Sequence, residues 1–135
     1  MTATFADTDE AAKYIGSVFQ AGFDDPQIRT KLEASGLVLR MEISDPDLVM
    51  TVDMHTGSIV VGDTELEPNM TLTLSSDTAN RFWQGKVGVP LAVARGQIKI
   101  DGALPKLLAL LPSAKTLNAR YIARLEADGR SDLLA

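Results

Sequence analysis

Leu37-Val38-Leu39-Arg40-Met41-Glu42-Ile43 is the stretch on which the fold turns. Leu37, Leu39, Met41 and Ile43 take alternate positions, and Arg40 and Glu42 fall between them. Successive side chains of a strand point to opposite faces, so this pattern predicts a strand with one apolar and one polar face. Ser44-Asp45-Pro46-Asp47 follows as a turn, in which Pro46 fixes φ and the aspartates can bond nearby backbone. A second strand sets Leu48, Met50, Val52 and Met54 against Val49, Thr51 and Asp53. His55-Thr56-Gly57 turns into a third, Ser58-Ile59-Val60-Val61, and Pro68 leads into a fourth over Asn69–Ser75. Met70, Leu72 and Leu74 share a face of the fourth, and Gln97-Ile98-Lys99-Ile100-Asp101 makes a fifth between Gly96 and Gly102. Short loops between successive strands predict antiparallel pairing. The alternation predicts a sheet covered on one side and wetted on the other.

Outward from these strands the period becomes helical. Asp7 and Glu10 cap a helix that begins near Thr8, with Ala11, Tyr14, Ile15, Val18 and Phe19 on one face. Gly22 and Asp24-Asp25-Pro26 end it and start a second, with Ile28 and Leu32 as its stripe and Gly36 at its end. Ser75, Ser76 and Asp77 are cap candidates for a short helix that reaches Trp83 and stops at Gly85. Pro90 opens a further helical turn through Ala94. Pro105 starts a helix carrying Leu104, Leu107, Leu108 and Leu111. Pro112-Ser113 interrupts that pattern, which restarts with Leu117, Tyr121, Ile122 and Leu125, and Gly129 begins the tail. With no repeat and no linker, residues 1–135 read as one α+β domain: a five-stranded, mostly antiparallel sheet with helices on one face.

Composition narrows the chemistry. The 135 residues are 45% hydrophobic and 23% charged, proportions of an ordinary globular chain. There is no cysteine and one histidine, which removes thiol nucleophiles, thiolate zinc sites, iron–sulfur clusters and histidine-rich metal centres. A net charge of −5 and a pI near 4.7 argue against nucleic acid, whose phosphates need Lys and Arg. The N-terminus lacks the basic and apolar regions of a secretory signal, and no apolar run approaches the ~20 residues of a membrane-spanning helix. The cytoplasm is the expected location.

No GxSxG elbow, GxxxxGK[ST] loop or strand-linked GxGxxG is present. Asp45 and Asp47 fit turn chemistry, Asp53 falls on the polar strand face, and His55 sits in a hairpin turn. No catalytic, metal or cofactor site is therefore assigned. The methionines say more: Met41, Met50, Met54 and Met70 all stand in register with the apolar set. Methionine is flexible and polarizable, suited either to filling a core or to lining a surface that accepts more than one shape. The leucine-rich C-terminal helices and the Phe82-Trp83 helix offer their apolar stripes to the same sheet face, as a lipid pocket requires.

From Glu67 to Leu111 the chain resembles the sterol carrier protein type 2 (sterol-binding domain) family. The resemblance is carried by Pro68 leading into Met70-Thr71-Leu72-Thr73-Leu74, a short helix with Phe82, then Gly85-Lys86. Pro90 and Ala94, and Gly96-Gln97-Ile98-Lys99-Ile100-Asp101-Gly102 before a leucine-rich helix, complete it. The strands from Leu37 to Val61 fit more loosely. Gln97, Asp101 and Ala103 depart from the residues common in the family, at positions that bear on head-group or surface preference. The resemblance implies an apolar tunnel between the sheet and its helices, holding a sterol, fatty acid or fatty acyl chain, with no catalytic residue set.

Pattern selects Met50, Met54, Leu72, Leu74, Phe82, Trp83, Ile98, Leu107 and Leu111 as the expected lining. The competing expectation is the same fold with a filled core, acting as an interaction subunit or scaffold for a lipid-modifying enzyme or as a homodimer. A third is an enzyme acting on an apolar substrate, with Asp53 or His55 as acid–base group.

Overall fold

The computed structural model describes residues 4–135; Met1-Thr2-Ala3, part of the N-terminal stretch read above, lie outside the described residues. Asp7 caps α1 (Thr8–Asp24) by accepting from the Glu10 N–H at 2.9 Å. Glu10 reaches back to the Ala6 N–H at 3.3 Å, one residue before the cap itself. Asp25 then serves both helices it joins. It follows the last residue of α1, and its carboxylate caps α2 (Pro26–Ser35) by accepting from the N–H groups of Gln27 and Ile28. Gly36 closes α2 at φ 65°, a left-handed conformation that a side chain would oppose.

The strands are β1 (Val38–Ser44), β2 (Leu48–Asp53), β3 (Ser58–Val61), β4 (Met70–Ser75) and β5 (Ile98–Asp101). They form one sheet in the order β3-β2-β1-β4-β5. Three of its four pairings are antiparallel, so the mostly antiparallel sheet stands. The inference from loop length fails at one joint: β3 and β4 are consecutive in the chain but not neighbours. The 62–69 segment carries the chain past β2 and β1, and β4 lies parallel to β1, with Met41 beside Leu72 and Ile43 beside Leu74. Asn69 fixes that crossing by donating to the Gly36 carbonyl at 2.8 Å and accepting from the Val38 N–H at 2.9 Å.

Register gathers Leu39, Met41, Ile43, Leu48, Met50, Val52, Met70, Leu72, Leu74 and Ile98 on one face. Arg40, Glu42, Thr73 and Lys99 stand on the other, half-buried or exposed. The apolar face carries α1, α3 (Ser76–Trp83), α4 (Val89–Ala94) and α6 (Leu111–Ala127), with α5 (Leu104–Ala109) leading into α6. Ser75 caps α3 through the Thr78 N–H at 3.1 Å. The leucine pattern breaks at Leu110, where Pro112 in the first turn of α6 supplies no N–H.

Candidate functional site

Two regions of the apolar face pack differently. α1 packs on β2, where Met50 and Val52 are completely buried. Under α3, α5 and α6, the layers leave an apolar cavity of about 90 Å³. Leu72 and Leu74 of β4 and Ile98 of β5 line its sheet side, joined by Met54, the residue after β2. Phe82 and Trp83 of α3, Leu107 of α5 and Leu111 of α6 line the helical side. Eight of the nine residues expected from pattern therefore meet around one space.

Met50 does not line it. It shares the sheet face, but β2 lies on the side covered by α1, and a Cβ placed on Gly16 would sit 3.6 Å from the Met50 methyl. The lining also includes residues that pattern did not select: Leu39 and Met41 of β1, Phe19 of α1, and Ser113 at the start of α6. Leu39 and Met41 arrive through the β1–β4 pairing, which places Met41 beside Leu72. Their alternation was visible; their neighbour was not.

Aromatic side chains set the helical wall. Phe82 and Trp83 meet edge to face with ring centroids 4.9 Å apart, and Phe19 meets Trp83 in the same manner at 5.5 Å. Trp83 is 7% exposed, so its ring acts as wall. Behind it lies a polar cluster. The Tyr121 hydroxyl donates to Asn80 Oδ1 at 2.5 Å, and Asn80 Nδ2 donates to the Leu133 carbonyl at 2.8 Å. Gln84 Nε2 donates to the same carbonyl at 2.8 Å, and its Oε1 accepts from the Ala135 N–H at 2.7 Å. Burial pushes the Tyr121 phenol well above its ordinary pKa and keeps it a neutral donor. This cluster ties α3, α6 and the C-terminal turn (Ser131–Leu133) together, and Leu133 is buried with it.

No lysine, arginine, histidine or carboxylate lines the cavity among the described residues. The carboxylates considered for chemistry lie elsewhere. Asp53 Oδ1 accepts from the His55 and Thr56 N–H groups at 3.0 and 3.4 Å, which is turn chemistry, and His55 is exposed. Asp45 and Asp47 stand in the β1–β2 turn, where the Asp45 carbonyl accepts from Ser76 Oγ and the Asp47 carbonyl from Thr8 Oγ1 at 2.6 Å. Among the described residues no group of acidic or histidine side chains is placed to hold a metal ion, and no helix is long and apolar enough to cross a membrane.

A mixed five-stranded sheet, helices on its apolar face and an apolar cavity between them define an α+β domain able to enclose a hydrophobic group. The chain belongs to the SCP-2 sterol transfer family, whose model matches residues 17–112. Its fold is that of sterol carrier protein 2 from Yarrowia lipolytica in the apo form (16% identity, 87% of this chain and 98% of that one, TM-score 0.65). It is also that of the sterol carrier protein domain 2 of Helicoverpa armigera (18% identity, 79% and 87%, TM-score 0.64). A third similar structure is Sterol Carrier Protein-2 from Aedes aegypti in complex with the C16 fatty acid palmitate (19% identity, 84% and 96%, TM-score 0.55). Among curated proteins there is no significant match.

Proposed function

We propose that this protein, as one non-catalytic domain over residues 1–135 working in the cytoplasm, binds and carries a hydrophobic ligand: a sterol, a fatty acid or a fatty acyl chain. The observation that carries the reading is the cavity wall, apolar throughout except for Ser113. Uptake is driven by removing ligand surface from water, about 25 cal/mol for each Å² of apolar area. The palmitate bound by the Aedes aegypti relative supports the ligand class.

The cavity's size sets the mechanism of entry. At about 90 Å³ it is smaller than the roughly 150 Å³ cavity that admits a benzene, so a long chain enters only as the walls separate. α5 is the wall that yields. None of its six residues is buried, and Leu104, Leu107 and Leu108 are half-buried. Displacing it sacrifices little packing, whereas moving α6 would disrupt Leu117, Tyr121 and Leu125.

The same small volume favours a second reading, a scaffold or enzyme partner whose interior stays filled. Titration of a fluorescent fatty acid or sterol, with displacement by unlabelled lipid, separates the two. Saturable binding at micromolar concentration and a ligand-dependent rise in melting temperature are expected for carriage. No binding by any lipid class, with a stable protein partner recovered in its place, would establish the scaffold.

A further inference from the structure

Ser113 is the one polar side chain on the cavity wall among the described residues; it is 5% exposed, and its hydroxyl makes no hydrogen bond within the protein. Four other helical hydroxyls bond back to their own helix: Ser17 to the Tyr14 carbonyl at 2.6 Å, Ser35 to Leu32 at 2.6 Å, Thr30 to Pro26 at 2.9 Å, Thr116 to Pro112 at 3.2 Å; those of Thr8 and Ser76 bond carbonyls of the β1–β2 turn. A hydroxyl this shielded and without a protein partner gives up hydration for nothing, and Ser113 lines the cavity. A second feature converges there. The 17-residue α6 starts without a side-chain cap, and its first turn contributes Leu110, Leu111, Ser113 and Ala114 to the wall.

Both features suit an oxygen atom. The wall holds no cation to compensate a carboxylate. A helix terminus offsets only a small part of the desolvation of a buried, unpaired ion. A pure hydrocarbon, at the other extreme, leaves the hydroxyl unsatisfied. We propose that Ser113 and the first turn of α6 hold a neutral oxygen of the ligand, a hydroxyl or an ester carbonyl, so that the cavity selects uncharged oxygenated lipids over fatty acid anions and over hydrocarbons. This rests on the lipid-binding reading and specifies which end of the ligand is recognised and by what.

The test uses the full chain with an uncharged pyrene-tailed alkane as bound probe, displaced by 1-decanol, decane or decanoate at pH 8. Decanol is expected to displace the probe at the lowest concentration of the three. Ser113→Ala, which adds no bulk and suits a helix, is expected to raise the decanol concentration needed about five-fold, the worth of one hydrogen bond. An unchanged circular-dichroism spectrum and a cooperative thermal melt show that the variant is folded. Decanoate matching decanol, or a decanol affinity indifferent to Ser113→Ala, would overturn this inference and leave lipid binding standing. A wild-type protein that binds neither the probe nor, by direct calorimetric titration, decanol would overturn both.

Discussion

Gly96 and Gly102 bracket β5, and replacing each by alanine asks how closely the sheet edge is held. Both have positive φ, 74° and 133°, but their surroundings differ. A Cβ on Gly96 meets nothing within 4 Å, so Gly96→Ala costs only the left-handed backbone, about 1 kcal/mol. A Cβ on Gly102 falls 2.9 Å from the Asn69 carbonyl oxygen and 3.1 Å from Met70 Cα. That backbone is pinned by the two Asn69 hydrogen bonds to Gly36 and Val38, so it cannot retreat cheaply. A φ of 133° lies in a region that is essentially glycine's own, at about 1–3 kcal/mol, and overpacking adds a similar amount. Gly102→Ala is therefore expected to cost about 3 kcal/mol or more. At roughly 3–4 °C per kcal/mol for a chain of this length, thermal unfolding should show a fall of about 4 °C for Gly96→Ala and about 10 °C for Gly102→Ala. Equal shifts, or the larger one at Gly96, would refute the close approach of β5 to the start of β4.

Three further outcomes follow from the packing. Tyr121→Phe removes the donor to buried Asn80 Oδ1 and should cost about 1–3 kcal/mol, measured by denaturant unfolding; an unchanged midpoint would show that the acceptor is otherwise satisfied. Glu10 is held below its ordinary pKa by its hydrogen bond from Arg130, and Asp128 by those from Tyr14 and Arg124. A carboxylate with a depressed folded pKa stabilises above its unfolded value, near 4, and loses that contribution as pH falls through the folded one. Melting temperature should thus drop below about pH 4, and less so in Glu10→Gln; parallel pH profiles would contradict the pairing. Hydrogen exchange should be faster in α5 than over Leu117–Leu125 of α6, because α5 buries no side chain, and equal protection would remove α5 as the yielding wall.

The elements were largely legible because their signals are local. Alternation located β1 to within a residue, since Leu39, Met41 and Ile43 show their common face whatever lies beside them. Asp7, the Asp24-Asp25-Pro26 cluster and the Ser75-Ser76-Asp77 run announced three helix starts through capping chemistry confined to a few residues, and the structure uses Asp7, Asp25 and Ser75. What depended on partners distant in sequence was not legible. The parallel β1–β4 pairing decides which strands underlie the cavity, and no loop length reveals it. Met50 and Met54 look alike in sequence, yet one is buried toward α1 and the other lines the cavity. Asn80 and Gln84 were silent because their partner is the backbone of Leu133, about fifty residues away. Ser113 registered only as a break beside Pro112, since a free hydroxyl on an apolar wall is visible only once the wall exists.

The methionines that first suggested an adaptable surface also supply the most direct test. Met41 and Met54 line the cavity, whereas Met50 and Met70 are buried outside its lining. With the methionine methyl groups labelled, a C16 lipid titrated into the protein should give intermolecular nuclear Overhauser contacts to Met41 and Met54 and none to Met50 or Met70. Contacts to Met50 or Met70 alone, or no contact to any of the four at saturating lipid, would contradict carriage in this cavity.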